Sequence, residues 1–63
     1  MLEHQKRVLG ERAELADRAE KLDRFLFGMV FNALGAEEQT RLVKQYAYMK
    51  LYLEMLDERI AAF

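Results

Sequence analysis

Arg41, Lys44, Tyr48, Tyr52, Met55 and Arg59 recur three or four residues apart. On a helix they would share one sector roughly 80° wide. Cations beside aromatic rings suit a flat anionic ligand. Guanidinium and ammonium groups take the phosphate, and a ring face takes the base. Arg41, Lys44, Tyr48, Tyr52 and Arg59 are therefore a candidate ligand stripe. The same residues also suit packing, with the rings sealed by another chain and the cations meeting acids of its first helix. Tyr and Met are ordinary interface residues. Both readings stand at this level.

Little else in the chain is equipped for chemistry. There is no Ser and no Cys, and Thr40 is the sole Thr. Nucleophile–base arrangements of the Ser–His or Cys–His kind are excluded. His4 is the only His. The acid placed to orient it, Glu11, is two helical turns away. No Glu-x-x-His occurs for a di-iron bundle, and none of the scattered Gly residues precedes the Lys-Ser/Thr pair of a phosphate loop. No catalytic residue, metal site or cofactor is expected, and the chain reads as a non-enzyme.

These residues must be positioned by helices. From Glu3 to about Phe27 there is no Pro, and Gly10 is the only breaker. Val8, Leu15, Ala19, Leu22 and Leu26 form a narrow apolar stripe at helical spacing. Glu3/Arg7, Glu14/Arg18, Asp17/Lys21 and Glu20/Arg24 are acid-then-base pairs at i,i+4, the favourable order. A second helix is expected over 36–62, with Glu37 and Glu38 in a first turn whose dipole favours acids. Leu42, Tyr46, Met49, Leu53, Leu56, Ile60 and Phe63 supply its seam. Gly28 is a plausible stop for the first helix. Glu11 and Gln45 lie on or beside the apolar stripes. They either need partners, for which Tyr52 and Arg12 are candidates, or sit at an edge reached by water.

The fold class that follows is all-α, an antiparallel two-helix hairpin in one domain, 1–63. Its helices cover about 3–27 and 36–62, and a connector covers about 28–35. That connector is peculiar. Phe25 to Ala36 carries no charge and no Pro, whereas connectors usually run over the surface and are polar. Helix 2 is also apolar beyond its seam, through Tyr48, Leu51, Tyr52 and Met55. One partner helix covers a stripe of ~100° or a little more, which leaves that flank bare. Phe25, Phe27, Met29, Phe31, Tyr48, Leu51, Tyr52 and Met55 are thus candidate interface residues.

Size points the same way. A chain of 63 residues buries only ~60% of its unfolded surface and is marginal alone. Small scaffolds add disulfides, a metal or oligomerisation, and without Cys only the last remains. A homo-oligomeric helical bundle is expected, with a dimer the simplest form. The net charge of −1 provides no basic field for nucleic acid. The uncharged run is shorter than the ~18 residues of a membrane span. The N-terminus has no apolar signal-peptide core. No membrane partner is expected, and the absence of Cys fits a cytoplasmic protein.

The whole chain also resembles a known group. The run HQKRV from His4 to Val8, then Glu11, Glu14-Leu15, Lys21-Leu22, Phe25, Phe31 and Leu34 carry the likeness. It continues through EEQTRL from Glu37 to Leu42, Gln45, Met49, Tyr52 and the closing LDERIAAF from Leu56 to Phe63. These resemble small uncharacterised helical-hairpin proteins of tailed phages and prophages. The chain departs from that pattern in its more apolar connector and in Gly35, where Ser, Asp or Pro commonly opens helix 2. The resemblance implies a phage accessory protein working in a bacterial cell, with no catalytic or binding residues to carry over.

The leading expectation is an oligomeric interaction module that binds and inhibits or redirects a host macromolecule, host takeover or anti-defence being the context. The second is an oligomeric sponge for an anionic nucleotide signal, using the Arg/Tyr stripe. The third is a structural or assembly component of the phage particle.

Overall fold

The computed structural model describes all 63 residues. It is all-helical: α1 spans Glu3–Leu26, α2 spans Met29–Ala33 and α3 spans Ala36–Ala61. No helix is long and apolar enough to cross a membrane. α1 is rich in Ala, Leu, Glu, Arg and Lys, the strongest helix formers, and Val8 is its only β-branched residue. Its N-cap, Leu2, has no side-chain oxygen to offer. Instead Gln5 reaches back, its Oε1 accepting from the Leu2 amide at 3.0 Å, which is half of a capping box.

The two long helices pack along one seam. Val8, Leu15, Ala19 and Leu56 are buried, and Met49, Leu53 and Ile60 pack against this core. Leu22, Leu26, Leu42 and Tyr46 are half-buried. The early turns of α1 therefore lie beside the late turns of α3. Polar contacts flank the seam on both sides. Arg12 donates to Asp57 through Nε at 2.9 Å and Nη2 at 3.3 Å. On the other side the Tyr52 hydroxyl donates to Glu11. Among the expected surface pairs, Glu14/Arg18, Asp17/Lys21 and Glu20/Arg24 form, whereas Glu3/Arg7 does not.

One expectation from the sequence is corrected. Phe63 lies past the end of α3 and is 44% exposed, so it leaves the seam. Gly28 does follow directly on the α1 C-cap, Phe27, but its φ of −93° is not left-handed, and it also caps α2. Its missing Cβ matters for space, since one would stand 3.3 Å from the Phe25 carbonyl oxygen. Glu11 has one of its two candidate partners, Tyr52, although it stays exposed, whereas Gln45 keeps the edge position.

The molecule is a rod of 46 × 14 × 13 Å. Its radius of gyration, 14.5 Å, exceeds the ~10.6 Å of a compact chain of this length. Such a shape gives almost every residue a path to water, and only 4 of 63 are buried.

Candidate binding face

The connector is held by a residue that no pattern singled out. Gln39, in the first turns of α3, donates through Nε2 to the carbonyls of Phe31 and Leu34 at 3.0 Å, with Asn32 at 3.4 Å. One side chain thus bonds the Leu34 carbonyl and shares the Phe31 carbonyl with the Leu34 amide, which donates to it at 3.1 Å. A Gln at that position has no distinctive spacing, so only the fold exposes this role. With the backbone pinned, Phe25 and Phe31 meet edge to face, 6.4 Å between ring centroids at 81°. Phe27 and Met29 turn outward, 84% and 89% exposed, and Val30 with them.

The face that concerns ligand chemistry lies on α3. Arg41, Lys44, Gln45, Tyr48, Met49 and Tyr52 line an open groove of about 410 Å³. α3 is uninterrupted through this stretch, so the three- and four-residue spacings place these side chains along one flank of the rod. Tyr48 is 66% exposed and presents an unpaired ring. Arg41 gives Nε to Glu38 at 2.8 Å and leaves its two terminal nitrogens free for a bidentate oxyanion contact. Glu37 belongs to the same flank, one turn before Arg41. Gln45 and Met49, outside the candidate stripe, complete the floor.

Tyr52 is tethered differently. Its hydroxyl is committed to Glu11, which raises its pKa above the ordinary tyrosine value. Desolvation and the Glu11 charge add to that, and Arg59 opposes it. The ring is therefore held while its edge and face remain partly open. On the opposite seam edge Arg12 lowers the Asp57 carboxyl, chiefly through the hydrogen bond, against a desolvation effect in the other direction.

One member of the stripe is not brought to this groove. Arg59 lies 18 residues beyond Arg41, about 27 Å along a helix that rises 1.5 Å per residue. No single mononucleotide-sized ligand touches both on one chain. A second groove, of about 610 Å³, is lined by Phe31, Ala36, Gln39, Thr40, Val43 and Lys44 where α3 leaves the connector. The two grooves share Lys44. No group of three or more His, Cys, Asp or Glu side chains is arranged to hold a metal ion.

Comparison with known proteins places the chain. A family profile described as Sequestin matches residues 2–62. A protein of Enterobacteria phage T4, described as an uncharacterized 7.5 kDa protein in the denB-rIIB intergenic region, is 40% identical over 63 residues. That alignment covers 100% of this chain and 98% of the relative. No solved structure matches.

Proposed function

This chain belongs to the Sequestin family of small phage proteins, and we propose from that premise that it sequesters an anionic, ring-bearing small molecule of the nucleotide class. The observation that carries the reading is the α3 groove, in which Arg41 and Lys44 stand beside the open Tyr48 ring. A phosphate gains charge-assisted hydrogen bonds from the cations. A base gains ~1–3 kcal/mol by stacking on the tyrosine. The family name, which speaks of sequestering, and the phage relative support a binding role without catalysis. The working unit is an antiparallel hairpin of α1 and α3 paired with a further copy. The support for pairing is a thin core beside exposed Tyr48, Leu51, Tyr52 and Met55.

Calorimetry against a panel of linear and cyclic nucleotides tests this. Heat is expected with at least one of them, and Tyr48→Ala and Arg41→Glu should abolish it. No heat with any nucleotide would overturn the reading.

A second reading is favoured by the connector. Phe27, Met29 and Val30 are held outward by a pinned backbone, as a docking knob for a host protein would be. Affinity capture comparing the native chain with Phe27→Asp separates the two. A host protein lost with Phe27→Asp, while Tyr48→Ala still retains it, would favour docking over sequestration.

A further inference from the structure

The stripe on α3 has a symmetry of its own. Arg41, Tyr48, Tyr52 and Arg59 are separated by seven, four and seven residues, and the pattern reads the same in either direction about position 50. Gln45 and Met55 are also equidistant from that midpoint. All six lie on one flank of an unbroken helix. A pattern that reads alike in both directions matches itself when two copies of the helix run oppositely. That is the geometry of an isologous two-fold contact, in which residue i meets j and j meets i.

We propose that two copies of the chain pair across this flank of α3 about a two-fold axis near position 50, and that each ligand site is shared between them. The register sets Tyr48 of one copy beside the partner's Tyr52 at the centre. It sets Arg41 beside the partner's Arg59 at each end. The two arginines that one chain holds about 27 Å apart thereby meet across the interface, twice. Each site combines Arg41, Lys44 and Tyr48 of one copy with the partner's Tyr52 and Arg59. The proposal rests on the nucleotide-class reading above and says where that ligand sits and how many are held: two per dimer.

Area favours a second copy as the occupant, and the charge it brings together calls for an anion between the copies. A standard interface covers ~800 Å² per partner, about a sixth of the 4906 Å² of this chain. One long side of a rod of this shape supplies an area of that order. The flank to be covered carries Tyr48, Leu51, Tyr52 and Met55, all largely or partly exposed. Each end of the pairing gathers three cations, Arg41, Lys44 and the partner's Arg59. Glu37 and Glu38 stand at its outer rim, with Glu38 already bound to Arg41. Glu11 stays on the Tyr52 hydroxyl. The inner part of each cluster is left for an external anion to complete.

The chain contains no Cys, so introduced cysteines report the register directly. An Arg41→Cys chain mixed with an Arg59→Cys chain should form a disulfide-linked dimer under mild oxidation. Either variant alone should not, because its two copies of the thiol would lie about 27 Å apart, beyond the ~7 Å between Cα atoms that a disulfide allows. Circular dichroism confirms that each variant is folded, and Gln45→Cys with Met55→Cys repeats the test if either is not. A mixture that fails to cross-link, or a single variant that links as readily as the mixture, overturns the two-fold pairing.

Sharing of the site is read by complementation. Arg41→Ala and Arg59→Ala chains should each lose nucleotide binding. Their mixture contains a heterodimer with one wild-type site, so binding should return at up to half the stoichiometry. Lost binding that mixing does not restore overturns the shared site. The cross-link needs no ligand. A protein that binds no nucleotide therefore refutes the sequestration reading without touching the pairing, and the two failures are distinct.

Discussion

The Tyr52 hydroxyl donates its hydrogen to the Glu11 carboxylate across the seam between α1 and α3. This bond links α3, which carries the open groove, to α1, which supports it. It also keeps the tyrosine protonated, because an ionised phenolate beside Glu11 would lose the bond and meet a like charge. The folded-state pKa is raised. Its contribution to stability is therefore complete below the unfolded value of about 10 and is lost as pH rises through the folded value. Denaturant unfolding of the native chain should weaken on the alkaline side of about pH 10, and Tyr52→Phe should lose less over that range. An equal alkaline loss in both would refute the assignment.

Arg12 and Asp57 act on the other edge at the opposite end of the pH scale. The Asp57 carboxyl is lowered by its bond from Arg12. Its contribution is present above the unfolded value near 3.9 and disappears as pH falls through the lower folded value. Acid unfolding followed by circular dichroism should show Asp57→Asn losing less stability below about pH 4 than the native chain. Both side chains remain largely in water, so the effect should shrink in high salt.

Gln39 should matter more than a polar surface residue normally does. Its amide serves the Phe31 and Leu34 carbonyls at 3.0 Å and approaches that of Asn32. A net hydrogen bond contributes ~0.5–1.5 kcal/mol, so Gln39→Ala should cost about 1–3 kcal/mol. Hydrogen exchange at the amides of Asn32 to Leu34 should accelerate. Unchanged protection there would show that the connector is held by packing alone.

Two glycines should be improvable. Gly10 sits in the interior of α1, and a Cβ added there would meet nothing within 4 Å. Gly10→Ala should stabilise the chain by roughly 0.8–1 kcal/mol. Gly35 caps α3 with no side-chain bond and equally open space, so Gly35→Asp should add a few tenths of a kcal/mol. Thermal melts read both. A loss of stability in Gly10→Ala would mean that a second copy packs closely on the back of α1, contrary to the α3 pairing.

The helices were legible because their causes are local. Propensity, the absence of Pro and the apolar period of Val8, Leu15, Ala19, Leu53, Leu56 and Ile60 act within a few turns. The likeness to small phage proteins was legible too, since it resides in residue order. The conformation at Gly28, the capture of the connector by Gln39 and the choice of Tyr52 as partner for Glu11 were decided by tertiary structure. Each depends on which chain segments meet once the helices are placed, and sequence distance carries no record of that. The stripe shows both halves. Its residue types and spacing announce a basic, aromatic flank from the sequence alone. Only a helix of known length places Arg59 out of reach of the groove that holds Arg41, since each residue advances the chain by a fixed 1.5 Å whatever its side chain.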